Sequence, residues 1–113
     1  MGPDKNKDDT AYLRLMLDAF AKIRAFTEGM SYEDFSVDSK SQSAVIMQLE
    51  VVGELAKKVP DSIKISIDIP WKQMAGLRDV VAHDYFSIDL PTIWYTLKNN
   101  VPAAALRIKE YLE

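Results

Sequence analysis

Apolar residues recur along this chain at the period of an α-helix and almost nowhere at the period of a strand. Between Asp9 and Glu28 the stripe Leu13, Met16, Leu17, Phe20, Ile23 marks one helical face, and Gly29 supplies a stop. A second stripe, Tyr12, Leu15, Ala19, Phe26, lies beside it, which is more apolar surface than one partner helix covers. Ser31-Tyr-Glu-Asp34 has the form of a capping box and predicts a brief helical turn. Asp38 or Ser39 then caps a second long helix that runs to about Lys58, before Pro60, on the core stripe Val45, Leu49, Val52, Ala56, Val59. Gly53 in its middle costs about 1 kcal/mol relative to Ala, and close approach of a neighbouring helix is the reason expected for it.

Only Ile63, Ile65, Ile67 and Ile69 alternate, in a short segment closed by Pro70; the stretch from Asp61 reads as an irregular or 3₁₀ connector or a short helix. Pro70 suits the first turn of a third helix, where its missing N–H has no partner to lose, and Trp71, Met74, Leu77 and Val81 line one face of it. Asp89 caps a fourth helix with Pro91 in its first turn, and Ile93, Trp94, Leu97, Val101, Ala105, Ile108 and Leu112 continue the stripe. Pro102, just after Asn99-Asn100, predicts a kink or break there. The pattern therefore predicts an all-α fold: an antiparallel bundle of four main helices forming a single domain over residues 9–113, behind a flexible polar segment at residues 1–8.

Composition narrows what such a bundle does. A chain of 113 residues with 48% hydrophobic and 27% charged residues is one ordinary globular domain, able to fold without disulfides or metal. The absence of cysteine excludes a disulfide scaffold, a thiolate zinc site and a cysteine nucleophile. A net charge of −3 argues against nonspecific duplex binding and leaves room for a local basic cleft. No segment approaches the ~20 apolar residues of a membrane span, and the N-terminal MGPDKNKDD lacks the apolar stretch of a signal peptide, so a cytoplasmic protein with no membrane association is expected.

The conspicuous polar cluster is Arg78-Asp79-Val80-Val81-Ala82-His83-Asp84-Tyr85, at the end of the third helix. His83 is the only histidine, so a neutral-pH general acid or base of the usual kind is this residue. Asp79 stands one helical turn earlier, placed to orient the ring. Arg78 lies about 140° around an ideal helix from His83, so both face one cleft only if the helix end distorts or a second subunit contributes. The blander reading of His83 is a structural one, a helix C-terminal histidine stabilised by the dipole. One His, no Cys and scattered carboxylates make no metal site, and the few glycines form no phosphate loop, so neither metal nor cofactor is expected.

Gly76-Leu-Arg78-Asp-Val-Val-Ala-His83-Asp-Tyr85, preceded by Ile69-Pro70-Trp71, resembles the HEPN superfamily and in particular its HepT-like ribonuclease toxins. The hallmark of that group is Arg, four to six residues, then His, often followed by one residue and Tyr. Gln48-Leu-Glu50-Val-Val-Gly53-Glu54 is similar to the family's second-helix pattern, and Asp89 to Trp94 to the start of its fourth helix, so the likeness covers nearly the whole chain from about Asp9. The resemblance implies a homodimeric toxin that cleaves RNA without metal, paired with an MNT-type nucleotidyltransferase antitoxin as in type VII toxin–antitoxin systems. It implies that Arg78 holds the scissile phosphate, that His83 moves protons, and that Glu54 and Asp79 support them. It further implies that Tyr85 is the tyrosine onto which the antitoxin transfers AMP. Packing at the helix end is the plain alternative for Tyr85, and a solvated surface charge for Glu54. The competing function is a catalytically inactive HEPN module that docks a nucleotidyltransferase or nucleotide, for which Arg78, His83 and Tyr85 together have no chemical use.

Overall fold

A computed structural model describes the backbone of residues 2–83 and 89–113 and the side chains of residues 9–77 and 89–113. Seven α-helices follow one another among the described residues, with no strand: α1 (Gly2–Phe26), α2 (Tyr32–Ser36), α3 (Ser39–Lys58), α4 (Asp61–Lys64), α5 (Trp71–His83), α6 (Leu90–Tyr95) and α7 (Val101–Leu112). A π-helical turn over Thr96–Asn100 joins α6 to α7, so the three run as one long element. The four main helices are α1, α3, α5 and this composite, and the fold is an all-α bundle. It centres on α3, which packs against α1 on one side and α5 on the other, while α7 lies along α1.

The helix starts follow local chemistry. Ser31 Oγ accepts from the Asp34 N–H and an Asp34 carboxylate oxygen accepts from the Ser31 N–H, both at 3.1 Å, a reciprocal cap on α2. Asp38 caps α3 by accepting from the Ser41 N–H at 3.2 Å and the Ser41 hydroxyl at 2.8 Å. Asp89 repeats the device on α6, accepting from the Thr92 N–H at 3.2 Å and the Thr92 hydroxyl at 2.7 Å. These bonds, the side-chain bond first in each case, hold the Asp38 and Asp89 carboxyls below their ordinary value of 3.8. The backbone of α1 is helical from Gly2, upstream of the Asp9 at which the apolar pattern begins; Pro3 falls in the first turn, where its missing N–H is harmless. At the other end Gly29, at φ 75°, takes the left-handed conformation that lets the chain turn away.

The core joins the predicted stripes. Leu13, Met16 and Ile23 of α1 meet Val45, Leu49 and Val52 of α3, none more than 1% exposed. Of the second α1 stripe only Ala19 is buried; Leu15 is 51% and Phe26 40% exposed. The alternating isoleucines form no strand: Ile63 sits in the single turn of α4, Ile67 is buried and Ile65 faces solvent. Trp71 ties this connector to α5, its indole N–H donating to the carbonyls of Ile67 at 3.0 Å and Lys64 at 3.2 Å.

The break predicted at Pro102 takes the form of the π turn. A proline leaves the carbonyl four residues earlier without its donor and crowds it with its ring. The chain answers by adding a residue: the Val101 N–H donates to the Thr96 carbonyl, five residues back, and α7 resumes with Pro102 in its first turn. Thr96 Oγ donates to the Thr92 carbonyl at 2.9 Å and the Asn99 amide to the Tyr95 carbonyl at 3.0 Å, which brace the turn from outside. Within the described residues no helix is long and apolar enough to cross a membrane.

Candidate functional site

Of the residues singled out for chemistry, Glu54 lies on α3 and Arg78, Asp79 and His83 on α5, two helices packed against each other. Glu54 is half-buried on α3, whose neighbours Val52 and Gly53 are buried. Arg78, Asp79 and His83 fall within the span of α5, and Tyr85 follows it; the side chains of all four, with that of Val81, lie outside the described residues. The structure thus brings the backbone carrying the Arg78–His83 segment onto the helix that carries Glu54. Among the described residues no group of His, Cys, Asp and Glu side chains is placed to hold a metal ion.

Anchors in its first two turns hold α5 to the core. Met74 is buried, Trp71 and Leu77 pack partly against the core, and the Met74 N–H donates to the Pro70 carbonyl at 3.0 Å to start the helix. Pro70 therefore stands just before the first helical residue, one position earlier than a first-turn proline. Gly76 faces open space, so nothing within the described chain requires its missing side chain.

Among the described residues two depressions stand out. One, of about 700 Å³, runs between the end of α1 and the π turn and α7, with Phe20, Val101 and Ala105 among its lining residues and Arg24, Lys98 and Lys109 alongside them. Glu28 is the one acidic residue in that lining, so the groove is locally basic on a chain of net charge −3. Lys98 Nζ sits 4.7 Å from the centre of the Trp94 ring, and that ring packs on Phe35 at 5.2 Å and Tyr32 at 6.1 Å, which fixes α2 against α6. The other depression is a cleft between α5 and the π turn, lined by Gln73, Leu77, Thr96 and Asn100. The sequence pattern did not single out these polar residues for a site. The one signal for them was the Asn99-Asn100 pair before Pro102, which reads as punctuation rather than as a surface.

Comparison with known proteins places this arrangement. A Thermococcus cleftensis protein named Probable ribonuclease HepT is 40% identical over 93 residues, 81% of this chain and 84% of the relative. A Methanocaldococcus jannaschii protein named as an inferred RNase is 41% identical over 108 residues, 95% of this chain and 89% of its own length. One from Caldanaerobacter subterraneus subsp. tengcongensis, named in the same way, is 32% identical over 95% of this chain and 96% of the relative. No solved structure matches the chain significantly. The sequence profile described as Ribonuclease HepT-like matches residues 16–111, from the first core turn of α1 to the last turn of α7. With the helical bundle, the Arg78–His83 segment on its third main helix and these relatives, the chain belongs to the HepT-like ribonuclease family.

Proposed function

We propose that this protein is a metal-independent endoribonuclease toxin, cutting RNA with Arg78 and His83 and silenced by an MNT-type nucleotidyltransferase through AMPylation of Tyr85. The observation that carries the reading is the Arg78-x4-His83-x-Tyr85 sequence inside a chain matched to the ribonuclease family over residues 16–111. Arg78 offers a planar fork of donors for two phosphate oxygens. His83 takes the proton of the 2′-hydroxyl, whose oxygen attacks phosphorus; the bond to the 5′ oxygen breaks, and that oxygen leaves with a proton. The products are a 2′,3′-cyclic phosphate and a 5′-hydroxyl. A single imidazole serves both proton transfers poorly, so two motifs meeting in a homodimer suit the chemistry. The exposed apolar residues Leu15 and, on α3, Met47 leave surface for such an assembly. Glu54 and Asp79 act as positioning residues for the pair.

Silencing follows from charge. Transfer of AMP from ATP to the Tyr85 phenol releases pyrophosphate and leaves a phosphodiester two residues from His83. The added anion competes with RNA for Arg78. A cytoplasmic location fits both RNA and ATP.

The reading is tested by product chemistry and by mass. Cut RNA carrying 2′,3′-cyclic phosphate, with Arg78→Lys impaired because an ammonium lacks the fork, is the expected result. Ends bearing a 3′-hydroxyl and 5′-phosphate contradict it. After incubation with the partner, ATP and magnesium, the intact mass rises by one adenylate on Tyr85; an adenylate on another residue, or none, refutes the silencing step.

A further inference from the structure

The seam between α5 and the π turn stays parted as a cleft of about 160 Å³. Its walls include Phe20, Met74 and Val101, each 5% exposed or less, together with Leu77. At its mouth stand two exposed amides, Gln73 from α5 and Asn100 from the last residue of the π turn. The neighbouring Asn99 uses its amide to bond the Tyr95 carbonyl, whereas neither Gln73 nor Asn100 makes a side-chain hydrogen bond with a described residue. Asn100 is the last residue of the π turn, whose extra residue turns α7 by about 100° relative to an uninterrupted helix.

Size and polarity select a ligand class. An enclosed apolar cavity of about 150 Å³ holds one benzene ring, and this half-open cleft of about 160 Å³ is of that size, matched to a single six-membered ring rather than a fused pair. Each amide offers two donors and an acceptor, which complement the edge of a planar heterocycle and do nothing for a hydrocarbon. Sequence-selective RNA recognition uses unstacked bases lodged in pockets and read at their edges. We propose that the cleft receives one pyrimidine base of the RNA, its ring lodged against the apolar wall at Leu77 and its edge read by Gln73 and Asn100. The inference rests on the ribonuclease reading, because Leu77 immediately precedes Arg78 on α5 and so joins the pocket to the proposed cutting segment.

Two measurements test it. Cut sites mapped in a random-sequence RNA pool show pyrimidine over purine by about tenfold at one fixed offset, and Gln73→Ala and Asn100→Ala each erode that bias, the double variant removing it. Cytidine titrated into ¹⁵N-labelled protein shifts the side-chain amide signals of Gln73 and Asn100, and adenosine shifts them less. Both residues are exposed, so the variants keep the wild-type melting midpoint. Cutting that ignores base identity, a purine bias, or amide signals unmoved by cytidine overturns the pocket. Cytidine shifts in a protein that leaves RNA intact uphold the pocket and count against the nuclease reading alone.

Discussion

The α1–α3 seam and the α5 seam with the last helix are built from similar apolar residues, yet one is shut and the other is open. In the first, Leu13, Met16 and Ile23 interlock with Val45, Leu49 and Val52, and water is excluded. In the second, Phe20, Met74 and Val101 are buried too, but Gln73, Thr96 and Asn100 stand at the rim. Closing that rim would bury amides without partners, at a cost of about 1–3 kcal/mol for each unsatisfied group. Stability is concentrated where the stripe is purely apolar, and access is kept where polar residues interrupt it, on the helix that carries Arg78 and His83.

Substitutions separate the two seams. The largest effect is expected from Leu49→Ala, which empties a fully enclosed site and costs about 2–5 kcal/mol in chemical unfolding. Leu77→Ala, at the half-open cleft, costs about 1 kcal/mol because the wall it leaves is already reached by water. A loss at Leu77 equal to that at Leu49 would mean that the cleft is closed in solution. Asp38→Ala removes the cap of α3 and lowers the midpoint by less than Leu77→Ala. Because their hydrogen bonds depress the Asp38 and Asp89 carboxyls in the folded state, these caps stabilise above the ordinary value of 3.8 and are lost as pH falls through the lower folded values. In Asp38→Ala and Asp89→Ala proteins the acid-side fall of stability is correspondingly shallower in a pH series of melts. The smallest effect is Gly76→Ala, a gain of about 0.4–1 kcal/mol, since the added methyl meets open space on α5. Weakened self-association of that variant by light scattering would instead put Gly76 against a second copy.

The closed seam was legible in the sequence and the open one was not. Period, caps and stops marked α3 from Asp38 to Lys58 and the reciprocal cap of Ser31 with Asp34, because each depends on neighbours within a few residues. The stretch from Asp61 to Ile69 read as an irregular connector or a short helix in spite of its alternating isoleucines, and it is one turn of α4 followed by a turn, with Ile65 outside and Ile67 inside. Pro102 announced a disturbance, but that it becomes a π turn depends on how the last helix must lie along α1, which is a tertiary choice. The second α1 stripe, by contrast, read as more apolar surface than one partner helix covers, and Leu15 and Phe26 do stay outside while Ala19 is buried. The Arg78-x4-His83-x-Tyr85 segment stood out through its resemblance to the family's motif; Gln73 and Asn100 stood out in no local pattern because they line one cleft from two elements far apart in sequence.

The proposed chemistry is RNA cleavage by Arg78 and His83 on α5 without a metal. Purified protein incubated with RNA in the presence of EDTA, beside folded His83→Ala, tests it most directly. Full cleavage by the wild type under chelation and near-complete loss in His83→Ala, at an unchanged melting midpoint, are the expected results. Cleavage that disappears with EDTA and returns with magnesium, or that survives in His83→Ala, would contradict it.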